Sequence, residues 1–252
     1  MGQHFLTDPN IARNIVDLLQ PEPNAIILEI GPGEGVLTKI LLEKYHSNFY
    51  AIEVDREAYM HVSEAFPKMK KRIIHADFLK FDFAELPEGP IYLIGNFPYN
   101  ISSQILFKTL DYKDRVIQCV GMFQKEMADR VGATHGNKTF GILSVLMQSY
   151  YDVKKAMDVP PHVFRPPPAV NSTVLKIYKK DEVDLPCTKK DLFRVVKMGF
   201  NQRRKTLRNS LRSLLNEEII GDEIFNQRPE QLSVAQFHEL TALLFPKTNQ
   251  AN

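Results

Sequence analysis

Apolar positions along the chain change period several times, and each change marks a boundary. Ile11, Ile15, Leu18 and Leu19 recur at helical spacing; Thr7 or Asp8 can cap that helix and Pro9 suits its first turn. Pro21 and Pro23 end it. From there short β-branched runs alternate with helical ones. Residues 25–30, 49–54, 73–76, 91–94 and 116–122 read as strands, and 36–44, 56–66 and 102–110 as helices between them. This rhythm predicts a mostly parallel sheet with helices on both faces. The order changes late. Residues 151–159 and 172–178 read as two further strands, separated by a segment holding Pro160, Pro161, Pro166, Pro167 and Pro168. Proline there resists regular structure and stiffens a loop, which predicts that Phe164 is displayed at a fixed place. After a polar stretch at 179–190 the pattern is helical over 192–200, 203–215, 217–225 and 234–245. The predicted organisation is an α/β domain over residues 1–180 and a small all-α domain over 181–252.

Composition narrows the class. A chain of 252 residues that is 44% apolar is long enough for one large domain plus a smaller one, each with a core. The formal net charge of +2 announces no nucleic-acid partner, so only a local cluster of cations could. Cys119 lies in an apolar strand-like run and Cys187 far from it, which fits neither a disulfide framework nor a zinc site. The seven histidines are scattered without ligand spacing, and no metal is predicted. The start, Met1-Gly2-Gln3-His4-Phe5-Leu6, lacks the regions of a signal peptide, and no apolar run is long enough to cross a bilayer. The expectation is a soluble cytoplasmic protein with no membrane partner.

Chemistry gathers at the ends of the predicted strands. Glu29-Ile30-Gly31-Pro32-Gly33-Glu34-Gly35 follows one strand and precedes a helix, where glycines let backbone approach a ligand. Its spacing departs from the dinucleotide fingerprint because the third glycine comes one residue early, so a pyrophosphate is not the favoured ligand. Glu53 ends the next strand and can accept from both hydroxyls of a ribose. Asp77 ends the third and can accept from an adenine amino group. Each acid alone is equally compatible with a solvated loop charge or a helix cap. Three consecutive strand ends carrying glycines, Glu and Asp are harder to dismiss, since open sheets bind ligands there.

Asn96-Phe97-Pro98-Tyr99 follows the fourth strand, and here chemistry dictates residue type. An exocyclic adenine amine is a poor nucleophile because its lone pair is delocalised into the ring. A side-chain amide oxygen from Asn96 and the backbone carbonyl of Phe97 can each accept one of its hydrogens and turn the lone pair toward an incoming methyl. Pro98 stiffens the turn. Tyr99 offers a face on which an extruded base can stack. No catalytic base is needed, because the nitrogen becomes strongly acidic once the methyl transfers.

With these motifs in view the chain resembles the ribosomal RNA adenine dimethyltransferases, specifically the small-subunit dimethyladenosine transferases whose absence gives kasugamycin resistance. The resemblance runs from Gly2-Gln3-His4-Phe5-Leu6 through the Gly31 loop, Glu53, Asp77, Asn96–Ser102, Phe123–Glu126 and Gly141–Val145. It continues into Val163–Pro168 and Phe200–Leu211. It implies a Rossmann-like class I S-adenosylmethionine-dependent methyltransferase sheet. It implies S-adenosylmethionine as cofactor, held by His4, Leu6, Gly31, Gly33, Glu53, Asp77 and Asn96. It implies twofold methylation of two adjacent adenines in the last hairpin loop of small-subunit ribosomal RNA, in a pre-30S particle, by a monomer. His4 stands where many relatives have Asn, and relatives carry a basic arm ahead of Gly2-Gln3 that this sequence does not show. Phe164 reads either as core or, held among prolines at the sheet's ligand edge, as the second face of a base sandwich, and the stacking role is the one favoured. Arg203, Arg204, Lys205, Arg208 and Arg212 form the basic patch that the net charge conceals. With Arg204, Arg208 and Arg212 four apart on one helical face and no acids nearby, phosphate contact is the reading favoured over a solvated face. Two rivals stand beside this one: the sister family that methylates one large-subunit adenine, and a ribosome-assembly factor acting mainly by binding.

Overall fold

A computed structural model of the chain describes residues 4–46 and 48–246. Asp8 caps the first helix, α1 (Pro9–Asp17), its carboxylate accepting from the amides of Asn10 and Ile11. The alternation follows as expected: β2 (Ile26–Ile30), α2 (Val36–Tyr45), β3 (Phe49–Glu53), α3 (Arg56–Ala65), β4 (Ile73–His75), β5 (Ile91–Asn96), α4 (Ser102–Asp111) and β6 (Val116–Gln124). The late strands are β7 (Tyr151–Val159) and β9 (Ser172–Lys179). Together they form a seven-stranded sheet in the order β4-β3-β2-β5-β6-β9-β7. The pairs among β2 to β6 are parallel, and β6 pairs with β9 antiparallel. Strands β2 and β5 are fully or nearly fully buried, which is why they read as continuous apolar runs. The chain leaves β2 for β3 and β4 on one side and returns to β5 on the other. That reversal is the switch point where open sheets leave a crevice.

Two strands were not expected. The pair β1 (Phe5–Leu6) and β8 (Phe164–Arg165) runs antiparallel, Phe5 opposite Arg165 and Leu6 opposite Phe164. The proline-rich segment is therefore a short strand partner and not only a stiff loop. Leu6 and Phe164 are both buried, in one apolar cluster with Val159, Val163 and Val174.

The chain divides into two compact units, residues 1–128 with 153–179, and 129–152 with 180–252. Segment 129–152 groups with the residues after 180 and not with the sheet. That segment holds part of α5 (Lys125–Val131) and all of α6 (Ile142–Tyr150). The C-terminal unit also contains α7 (Lys189–Asn201), α8 (Leu207–Ser210) and α9 (Val234–Leu244), with Phe200 packed between Phe140 and Phe237. The continuous helices expected over 203–215 and 217–225 are absent. Thr206 is extended and restarts the chain as the cap of α8, Leu211 leaves helical geometry, and residues 217–221 form turns. Arg208 fixes this irregular path by donating to the Ile220 carbonyl and the Asn226 side chain. No described helix is long and apolar enough to cross a membrane.

Glu29 is a charge-bearing group inside the sheet, 1% exposed, accepting from the Thr38 hydroxyl at 2.7 Å. Burial raises its pKa from 4.5 to about 8; the Thr38 hydrogen bond opposes this and the Glu53 charge adds to it. Folding therefore favours the protonated form. The associated stability is complete below the unfolded value and is lost as pH rises through about 8. Glu29→Gln should accordingly raise the melting temperature over the parent at about pH 9 and change it little at about pH 5, by scanning calorimetry in both buffers. An equal effect at both would mean that Glu29 does not titrate in this range.

Candidate active site

The C-terminal ends of β2, β3, β4 and β5 border one cleft of about 700 Å³, its open mouth included. Gly31 and Gly33 come from the first, Glu53 and Val54 from the second, Asp77 and Phe78 from the third, and Asn96 to Tyr99 from the fourth. Both glycines take left-handed backbone, φ +67° at Gly31 and +55° at Gly33. A side chain at Gly31 would enter open space, whereas one at Gly33 would strike the Phe5 ring at 2.8 Å. Gly31 is thus where a ligand can lie against backbone, and Gly33 is where Phe5 already does.

Glu53 is 2% exposed and anchors its own loop. One carboxylate oxygen accepts from the amides of Val54 and Asp55 at 2.9 and 3.0 Å, the other from Gly33 at 3.4 Å. Burial raises its pKa, and the amides of Asp55, Gly33 and Val54 pull it back. Its loss would therefore disturb the glycine loop as well as any ligand. Asp77 is half-exposed and accepts from the Leu79 amide at 2.9 Å. Apolar Ile52, Val54 and Phe78 line the same cleft as the two acids. Two carboxylates beside an apolar wall form an acceptor set suited to the hydroxyls of a ribose and the amino group of an adenine ring.

The Asn96–Tyr99 turn is held at both ends. Asn96 donates through Nδ2 to the His4 carbonyl at 2.7 Å, so Oδ1 is the end of the amide left to accept. Phe97 is 1% exposed and meets Phe123 edge-on at 5.2 Å. The Tyr99 phenol bonds the Ser172 hydroxyl at 2.7 Å, and its ring lies 5.5 Å from the His4 imidazole. Burial pushes the phenol's pKa up and the Ser172 bond opposes it. His4 in turn donates through Nδ1 to the Pro166 carbonyl at 2.7 Å. His4 lines the cleft, and Leu6 lines a smaller recess beside it with Gly31 and Asn96. Residues 2 and 3 of the same motif lie outside the described residues.

One expectation is overturned. Phe164 is 4% exposed and packs in the core cluster, so its ring offers no open stacking face in this structure. Its strand pairs with β1, and the ring packs into the apolar cluster that this pair shares. Phe5, Phe78 and Ser172 were not anticipated. Phe5 sat unread inside a motif prized for its neighbours, and Ser172 gives no local signal.

Comparison with known proteins agrees with this geometry. The family model described as ribosomal RNA adenine dimethylase matches residues 1–244. The chain belongs to that family. The ribosomal RNA small subunit methyltransferase A of Cytophaga hutchinsonii is 49% identical over 249 residues, 98% of this chain and 96% of that protein. The protein of the same name from Parabacteroides distasonis is 51% identical over 245 residues, 96% of this chain and 92% of its own. Among solved structures, a dimethyladenosine transferase from Plasmodium falciparum superposes with a TM-score of 0.79 at 24% identity, covering 96% of each chain. The 23S rRNA methyltransferase ErmE gives 0.68 at 22%, over 93% of this chain and 98% of that one. These likenesses establish a class I methyltransferase fold.

For an RNA-modifying family the basic cluster of the C-terminal unit matters next, and it splits in two. Arg203 lies 3.9 Å from Glu230, donates to the Asn137 carbonyl and sits over Phe200. Arg208 is the tie described above. Both are half-buried, whereas Arg204, Lys205 and Arg212 are exposed. The expected helical face of arginines without nearby acids is thus corrected: α8 has four residues, and one arginine has a carboxylate neighbour. Replacing Arg204, Lys205 and Arg212 with Ala should flatten the log–log salt dependence of RNA binding by about one unit for each phosphate no longer neutralised, leaving stability nearly unchanged. Arg208→Ala should chiefly lower the melting temperature. Filter binding across a salt series together with melting curves reads both, and an unaltered slope in the triple variant would assign those cations to solubility.

Proposed function

We propose that this chain transfers methyl groups from S-adenosylmethionine to the exocyclic amines of two adjacent adenines in the 3′-terminal hairpin loop of small-subunit (16S) ribosomal RNA, twice on each. The small-subunit names of relatives near 50% identity support that choice over the large subunit. The substrate we infer is a pre-30S particle, met in the cytoplasm by a monomer whose C-terminal unit grips RNA phosphates.

The cleft fits the cofactor. Glu53 would accept from the ribose hydroxyls, Asp77 from the adenine amino group, and the open space over Gly31 admits the ligand to backbone. S-adenosylmethionine, when bound, supplies an electrophilic methyl on a cationic sulfur. The observation that carries the reaction is the Asn96 Nδ2 bond to the His4 carbonyl. It leaves Oδ1 free to accept one hydrogen of the target amine while the Phe97 carbonyl accepts the other. The nitrogen's lone pair then points along the line of attack, a gain of position and not of acid–base chemistry. Tyr99, its phenol raised in pKa and engaged by Ser172, stays neutral and serves as a stacking face. The amine's proton leaves to solvent after methylation. With Phe164 buried, the stacking falls to Tyr99, with His4 beside it.

Mapping methylated bases after incubation with unmethylated small subunits tests the assignment, and methyl acceptance by the large subunit instead would overturn it. Glu53→Gln, which keeps an acceptor for the loop amides, should weaken cofactor binding by about 1.5–3 kcal/mol in calorimetric titration. Binding to the parent should also weaken as pH falls through Glu53's raised pKa, earlier than for an ordinary carboxylate. Asn96→Ala should leave RNA binding intact and abolish or severely depress single-turnover methyl transfer at saturating cofactor. Tyr99→Ala should lose base capture worth about 1–3 kcal/mol, and Tyr99→Phe should keep most of the rate. A dead Tyr99→Phe would mean that the phenol handles a proton.

A further inference from the structure

Lys108, on α4, is 8% exposed and takes no part in the chemistry above. Its ammonium lies 5.3 Å from the Phe78 and Phe83 ring centroids and 5.5 Å from that of Tyr112. It donates to two backbone carbonyls, Leu79 at 3.1 Å and Phe81. Burying a lysine is costly unless its charge is matched, and three π faces with two carbonyls match it. Both carbonyls belong to one turn. Lys80 and Phe81 donate their amides back to the Asp77 carbonyl, and the Leu79 amide donates to the Asp77 carboxylate. Leu79 thus joins Lys108, through its carbonyl oxygen, to the Asp77 side chain, through its amide. Phe78 is shared as well, since it lines the cleft and faces the ammonium.

We propose that Lys108 is a positioning residue for base recognition: it pins the 77–81 turn so that the Asp77 carboxylate and the Phe78 ring are held ready for the adenine of the cofactor. A cation at the carbonyl end of a single turn complements the oxygens that a longer helix would have satisfied. Burial lowers its pKa, while Asp77, Asp82 and Asp111 raise it. The inference rests on Asp77 reading the adenine amino group, and its test separates the two.

The test is calorimetric binding of S-adenosylhomocysteine and of its deaminated analogue S-inosylhomocysteine, in which the amino group is replaced by a carbonyl oxygen. The parent prefers the adenosyl ligand, and Asp77→Ala should abolish that preference. Lys108→Met, which fills the aromatic cage without donors, should reduce the preference by roughly tenfold, the scale of a displaced charged hydrogen-bond partner. In the Asp77→Ala background, Lys108→Met should reduce it no further. Lys108→Gln, whose amide can reach one carbonyl, should give an intermediate preference and carries the test if Lys108→Met does not fold. An undiminished preference in Lys108→Met or Lys108→Gln, with Asp77→Ala having lost it, overturns the role of Lys108. A preference that survives Asp77→Ala overturns the reading of Asp77 instead. Equal losses for both ligands would make Lys108 merely structural and overturn the proposal.

Discussion

The ring of Phe97 occupies a slot that closes if residue 95 or residue 121 gains a side chain. Gly95 and Gly121 are register partners on the parallel strands β5 and β6. A Cβ at Gly121 would lie 2.2 Å from the ring, and one at Gly95 would lie 2.6 Å from the Ile30 carbonyl. Glycine inside a strand weakens it unless something else must approach, and here the something is an aromatic ring. Phe97 sits between Asn96 and Pro98, so its burial sets where the Asn96 amide begins and where the next carbonyl points. Two acceptors aimed at one amine are useful only if neither can wander. The slot removes that freedom from the backbone before any ligand arrives.

The remaining freedom, rotation of the Asn96 amide, is removed from far away in the chain. His4 supplies the carbonyl that holds Nδ2, and His4 is itself held by the Pro166 carbonyl. Thr7 adds two bonds to Val163, through its amide at 2.8 Å and its hydroxyl at 2.9 Å. A two-residue strand cannot persist on such bonds alone. Leu6 and Phe164, paired across β1 and β8, each bury a large apolar side chain worth about 1.5–3 kcal/mol, which fastens the strap. Phe164 thus bears on Asn96 through packing: it holds the strap, the strap places the His4 carbonyl, and the carbonyl orients the Asn96 amide.

Much of this was legible in the sequence, and the failures have physical causes. Strands β2 to β5 and their chemical ends were readable because each is a short apolar run stopped by Gly, Glu, Asp or Asn at the edge of the sheet. Helix α6 was not, because it is buried on nearly all sides and shows no polar face from which to read a period. Residues 203–225 failed in the opposite way. Their spacing suits a helix, but Thr206 adopts a cap conformation and Arg208 satisfies carbonyls across the turn, so local bonding defeated periodicity. Phe164 was misread because proline content says that a segment is stiff without saying which way its side chains point. The role of Lys108 was invisible, since a lysine in an amphipathic helix normally marks the wet face.

The placement of charge explains how a polyanion can deliver a base to an acidic cleft. Glu53 and Asp77 line the cleft, with no lysine or arginine among the described residues that line it. Such a surface repels phosphates and accepts two kinds of guest, a cationic cofactor and an uncharged ring. An adenine turned out of its strand is uncharged, whereas the backbone that carries it is not. The exposed cations Arg204, Lys205 and Arg212 belong to the other unit, so the groups suited to hold phosphates are not those that line the cleft. Under the proposed reaction, selection of a base over its backbone begins with that division of charge.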